Sequence, residues 1–149
     1  MASRLMLVQD EADRMTLSDR IRPYLGEIAS RANATEEARA VTTENIEIAR
    51  KAGFVRAFVP KQYGGDERSL KEYNQAVRLI TKACPSTGWV VGVLNVHQSG
   101  VMHYRKGLQN EIWKNGPDTI ICSSGSPIIK AELVDGGILV NGKGRWGSG

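Results

Sequence analysis

Thr119-Ile120-Ile121-Cys122, then Ile128-Ile129-Lys130-Ala131-Glu132-Leu133-Val134-Asp135-Gly136-Gly137-Ile138-Leu139-Val140, are the residues whose reading decides the fold class. Their apolar positions repeat with a period near two, the spacing of β-strands, so strands are expected over residues 119–122, 128–134 and 138–140. Asp135-Gly136-Gly137 predicts a tight hairpin, because glycine reaches the positive φ that short hairpin loops demand. Before Pro117 the period is 3.6. Helices followed by strands argue α+β segregation rather than a doubly wound parallel sheet. So few strands leave an exposed edge, which reads as an incomplete sheet in a chain cut from a longer one.

Working back from Pro117, residues 107–114 predict a short helix through Leu108, Ile112 and Trp113, closed by Asn115-Gly116-Pro117. Residues 86–104 form the expected central helix. It is apolar on nearly every side at first, so it should lie between other elements, and it turns polar at Asn95, His97, Gln98 and Ser99. Pro85 suits its first turn, and residues 69–83 supply a helix through Leu70, Tyr73, Val77 and Ile80. Pro60 and the Gly64-Gly65 pair break the helical period, which makes residues 54–65 a compact loop with positive φ available at the glycines. Two further helices are expected over residues 35–52, capped by Gly53, and over residues 17–32, with Ile21, Leu25 and Ile28 as its stripe and Asn33 at its end.

Composition excludes several classes. With 149 residues, 41% hydrophobic and 24% charged, the chain can bury a core of ordinary size. The net charge of +4 comes from Lys and Arg interleaved with Asp and Glu, a solvated surface rather than a nucleic-acid patch. The basic run over residues 51–61 carries Phe54, Phe58 and Val59 as core residues would be spaced. Two cysteines, Cys84 and Cys122, lack CxxC spacing and clustered histidines, so neither zinc nor a disulfide framework is indicated and a reducing cytoplasm fits. The apolar stretch at residues 5–8 is too short for a signal sequence, and residues 89–94 are too short to span a membrane.

Three constellations could carry chemistry. His97 can donate to or accept from an acidic hydroxyl near neutral pH, yet on its own it also fits a satisfied core histidine; His103 lies off that face and reads as a surface residue. Cys122-Ser123-Ser124-Gly125-Ser126-Pro127 can line a pocket, although a plain turn explains it as well, and it contains no GxSxG elbow. The glycines at 142, 144 and 147 lack the strand-loop-helix context and the GKS or GKT ending of a phosphate loop.

Taken together, Ala52-Gly53-Phe54, Arg56-Ala57-Phe58-Val59-Pro60-Lys61-Gln62-Tyr63-Gly64-Gly65, Pro85-Ser86-Thr87-Gly88-Trp89, and the hairpin leading to Trp146-Gly147-Ser148-Gly149 resemble the acyl-CoA dehydrogenase superfamily. Arg56-Ala57-Phe58, His97 after the apolar helix, Gln109-Asn110-Glu111-Ile112-Trp113 and the serine-rich strand end are closer to its group D flavin monooxygenases. The resemblance covers residues 43–149. It implies a helical N-terminal domain at residues 1–116 and, from residue 117, the start of a middle β-barrel, with a C-terminal helical bundle further on in homotetramers. It also implies that a separate reductase supplies reduced FMN or FAD, and that a flavin C4a-hydroperoxide formed with molecular oxygen hydroxylates a small phenolic substrate. Matched position by position, His97 would bind the substrate hydroxyl and favour the phenolate, Ser123 would share that pocket and line the flavin site, Ser148 would approach flavin N5, and Trp89 and Trp146 would wall the flavin. The alternatives are an acyl-CoA dehydrogenase acting on a thioester and a non-catalytic helical interaction module.

Overall fold

The computed structural model describes residues 15–124, 129–144 and 147. Seven α-helices are followed by one antiparallel hairpin among these residues: α1 Leu17–Ile21, α2 Leu25–Ser30, α3 Ala32–Ala38, α4 Thr43–Lys51, α5 Leu70–Ala83, α6 Pro85–Val101, α7 Lys106–Ile112, β1 Ile129–Val134 and β2 Gly137–Gly142. The α+β order stands as expected. The apolar stretch at residues 5–8 lies outside the described residues.

Helix starts follow side-chain chemistry. Thr16 and Asp19 form a capping box at α1: the Asp19 backbone N–H donates to Thr16 Oγ1 at 3.1 Å and the hydroxyl donates to the Asp19 carboxylate at 2.6 Å. That hydroxyl, with the Thr16 backbone N–H, holds the Asp19 carboxyl below the usual aspartate range. Thr42 and Ser69 cap α4 and α5 by accepting from the backbone N–H three residues on. Gly53, at φ 90°, ends α4 in the left-handed conformation expected of it.

The two N-terminal helices differ from expectation. Residues 17–32 are not one helix, because Pro23 has no N–H to give to the ladder and residues Arg22–Tyr24 tighten into a 3-10 turn between α1 and α2. Asn33 lies inside α3 rather than at a terminus. Residues 35–52 are likewise divided: Arg39 takes φ 51° after α3, and Thr42 begins α4 afresh. Of the Gly64-Gly65 pair only Gly64 has positive φ, at 82°. Gly65 serves close approach instead, since a Cβ there would lie 1.9 Å from the Val59 carbonyl oxygen.

One core gathers Leu17 and Ile21 of α1, Ile28 of α2, Ile48 and Ala49 of α4, Phe54 and Ala57 of the following loop, Tyr73, Ala76 and Ile80 of α5, and Val91 of α6. A smaller cluster joins Val59, Val101 and Trp113, with Tyr63, Ile112 and Ile121 packed on it. Tyr73 donates its hydroxyl to the Val91 carbonyl at 2.5 Å, and burial pushes its phenol well above the ordinary tyrosine value. The folded chain therefore keeps a proton that the unfolded chain releases near pH ~10, so this contribution is complete below that pH and declines above it. Alkaline unfolding followed by circular dichroism is expected to start above pH ~10, and Tyr73→Phe to flatten the slope; an unchanged slope counts against the burial account.

α6 is buried along one face only. Thr87, Gly88, Val91, Leu94, Asn95, Gln98 and Val101 face inward, while Trp89 is 72% and Val96 56% exposed. The expectation of a helix covered all round is thus corrected: among the described residues, packing by α3, α4, α5 and the loops covers one side, and the opposite side opens on clefts. No described helix is long and apolar enough to cross a membrane. The hairpin has the predicted turn, with Gly136 at φ 81° and the register running from Val134 opposite Gly137 to Ile129 opposite Gly142.

Candidate functional site

Two turns of α6 and the coil after Pro117 build the site. Residues 119–122, read as a strand, are irregular. The reason is where their backbone hydrogen bonds go: the Thr119 carbonyl accepts from Gln98 Nε2, and the Ile121 carbonyl lies 2.9 Å from His97 Nδ1. The alternate carbonyls expected of an extended segment face helix side chains instead of another strand. The same strip is tied down on its other side, where Arg50 donates to the Asp118 carbonyl at 2.9 Å and Arg56 pairs with the Asp118 carboxylate at 3.0 Å.

His97 is half-buried. A carbonyl oxygen only accepts, so Nδ1 must carry the proton in this bond, and when the ring is neutral Nε2 is left as an acceptor. Gln98, fully buried beside it, donates to Thr119 and accepts from the indole N–H of Trp113 at 3.0 Å. Its two bonds join helix, strip and the smaller apolar cluster. The sequence marked Gln98 only as part of a polar helix end, because neither partner is near it in the chain.

On the same stretch of helix, Trp89, Val90, Val93 and Leu94 line a cavity of about 410 Å³ with Val41, Ile46, Ile120 and Gly147. Its lining is apolar, and His97 follows Val93 by one helical turn. Trp89 thus lines the cavity, with its side chain largely exposed. The chain returns here after the hairpin: a Cβ on Gly144 would lie 3.9 Å from Ser124 Oγ, and Gly147 reaches the cavity.

Ser123 lies two residues beyond the carbonyl that holds His97, and its side chain is exposed. Ser123 and His97 thus sit on adjoining segments. Trp146 and Ser148 lie outside the described residues, although Gly147 between them in sequence lines the cavity. His103 is exposed, as expected of it. Among the described residues no cluster of three His, Cys, Asp or Glu side chains could hold a metal ion.

Residues 11–110 match the family described as acyl-CoA dehydrogenase, N-terminal domain. The chain is 38% identical over 135 residues to the p-hydroxyphenylacetate 3-hydroxylase, oxygenase component, of Acinetobacter baumannii, an alignment covering 91% of this chain and 32% of that protein. It is 36% identical over 120 residues to the FADH(2)-dependent resorcinol hydroxylase, oxygenase component, of Rhizobium sp. strain MTP-10005, covering 80% of this chain and 29% of that one. The crystal structure of 3-HSA hydroxylase from Rhodococcus sp. RHA1 superposes with a TM-score of 0.84 at 32% identity, over 91% of this chain and 35% of that chain. The chain spans about a third of the length of the curated relatives it matches.

Proposed function

The chain belongs to the acyl-CoA dehydrogenase N-terminal domain family, and we propose that it forms the N-terminal part of the oxygenase component of a two-component, flavin-dependent monooxygenase acting on a phenolic substrate. In this reading residues 1–116 are the helical domain and residues 117–149 begin the middle β-domain of a homotetrameric whole. The names of the relatives support hydroxylation over thioester oxidation.

The observation that carries the reading is the Nδ1 bond of His97 to the Ile121 carbonyl, one turn from an apolar cavity. It leaves Nε2 able to accept a phenolic proton, which raises the electron density of the ring that is to be attacked. Ser123 shares the substrate pocket. The cavity fits a flat aromatic group, since its lining is an indole and branched aliphatic side chains. Bound reduced flavin, FMN or FAD delivered by a separate reductase, supplies the activation of molecular oxygen. The chain's own part would be to exclude water with Trp89, Trp146 and the aliphatic wall, while Ser123 and Ser148 would help hold the flavin, Ser148 on its N5 side.

In the whole protein, His97→Ala is expected to lower hydroxylation about tenfold or more while changing flavin affinity little, because the imidazole acts on the substrate and not the cofactor. Product yield under saturating reduced flavin, read beside flavin binding, checks this; equal yield from the variant defeats the role. Reduced FMN or FAD at about a hundred times its dissociation constant should stabilise the protein by about 2.7 kcal/mol, and an unmoved thermal midpoint with both flavins favours the interaction-module reading.

A further inference from the structure

We infer that Gln98 is a positioning residue that fixes the tautomer of His97. His97 is held with its proton on Nδ1 only if the Ile121 carbonyl stays 2.9 Å away, and that carbonyl sits on the irregular strip at residues 119–122. What ties the strip to α6 besides His97 itself is Gln98, whose Nε2 donates to the Thr119 carbonyl two residues earlier. Gln98 cannot swing away: it is fully buried, and its Oε1 accepts from Trp113 Nε1 at 3.0 Å. Trp113 is itself 3% exposed and packs on Tyr63 with ring centroids 4.7 Å apart and planes tilted by 47°. The strip is thus referenced to a packed aromatic pair through one amide. Thr119 adds a bond from its hydroxyl to the Ile112 carbonyl at 3.3 Å, so both ends of residue 119 are held.

The consequence is specific. A neutral imidazole in water prefers the proton on Nε2, which would offer a phenol a donor where an acceptor is needed; the Ile121 carbonyl reverses that preference. The amide has to be an amide: a carboxylate at 98 could still accept from Trp113 but would set a negative oxygen against the Thr119 carbonyl, and a thioether could do neither. The inference rests on the proposed function for its bearing on turnover, but the tautomer exists without flavin or substrate.

The test is nitrogen-15 NMR of the imidazole rings at a pH where both are neutral, with exposed His103 as an internal reference. The parent is expected to show His97 mainly as the Nδ1–H form and His103 mainly as the Nε2–H form. Gln98→Glu is expected to return His97 toward the pattern of His103 while the Trp113 indole N–H signal stays shifted, and Gln98→Met to lose both signatures. Trp113→Phe, which removes the indole N–H that anchors the Gln98 amide while keeping an aromatic ring in the cluster on which Ile121 packs, should give a mixture of His97 tautomers and stands in should either Gln98 variant fail to fold. The inference is overturned by a parent His97 in the Nε2–H form, or by variants that are folded by circular dichroism and keep the parent tautomer. In the whole protein the same variants should lower hydroxylation about tenfold to a hundredfold without weakening flavin binding. Loss of the Nδ1–H form with undiminished hydroxylation leaves the positioning role in place and removes His97 from the proposed chemistry.

Discussion

Gly88→Ala is expected to destabilise the chain by about 3 kcal/mol, one of the two largest effects of any substitution considered for it. A Cβ at that position would lie 2.2 Å from Thr81 Oγ1 and 2.6 Å from Thr81 Cα. The second distance decides the size of the effect. Trimming the threonine side chain cannot remove a clash with its Cα, so the backbones of α5 and α6 have to part. They are joined through Cys84 alone, which leaves little slack near the contact. The Thr81 hydroxyl is moreover engaged with the Val77 carbonyl at 2.9 Å. Because Trp89 follows Gly88 directly, a displaced α6 also moves the cavity wall. Gly107→Ala is the comparison, since a Cβ there meets nothing within 4 Å and alanine suits a helix better by about 0.5–1 kcal/mol. Chemical denaturation of both variants decides the matter; similar midpoints would mean that the α5–α6 approach is not tight in solution.

Local chemistry was the legible part of this fold. Pro85 at a first turn, Gly53 after α4 and the Gly136 turn all behave as their backbone preferences dictate, and each needs only its neighbours to do so. The misreadings fall where two short-range signals conflict. Ile21, Leu25 and Ile28 keep one stripe across Pro23, so periodicity suggested a single helix where the missing N–H imposes a 3-10 turn. At Arg39 the chain turns left-handed without a glycine to announce it. Trp89 and Val96 could not be placed from hydropathy, because an apolar residue carries the same signal whether its neighbours are buried or it faces a cleft.

The site divides along the same line. His97 was visible as a residue type at the end of an apolar helix. Its partner was not, because the pairing spans 24 positions and depends on a strip whose apolar alternation announces a strand. The period of two at residues 119–122 misled, because these residues form no strand; apolar alternation does not encode the identity of the hydrogen-bonding partner. Gln98 escaped for the same reason, being defined by contacts 21 and 15 positions away.

Asp66→Ala is expected to lower stability by about 2–4 kcal/mol, a figure below that of a fully dry ion pair because its carboxylate retains 13% exposure. Three guanidinium groups converge on this carboxylate: Arg20 at 2.7 Å, Arg56 at 3.5 Å and Arg68 at 3.6 Å. Deleting it leaves like charges facing one another in a poorly hydrated place, a larger penalty than the attraction that was lost. The residue also belongs to the fold of the loop, since its N–H donates to the Arg56 carbonyl at 3.1 Å and Arg68 donates to the Ala57 carbonyl at 2.6 Å. Through Arg56 the cluster reaches Asp118, the start of the strip that carries the Ile121 carbonyl, so the damage should extend to the His97 environment. Added salt ought to restore part of the lost stability by screening the arginines from each other. Glu111→Ala provides the contrast, for its pair with Lys114 is more than half exposed and should matter by no more than about 0.5 kcal/mol. Thermal and urea midpoints of the two variants at low and high salt separate these cases. An Asp66→Ala chain within about 0.5 kcal/mol of the parent, with no salt recovery, would show that the arginines find other arrangements and that the strip does not depend on them.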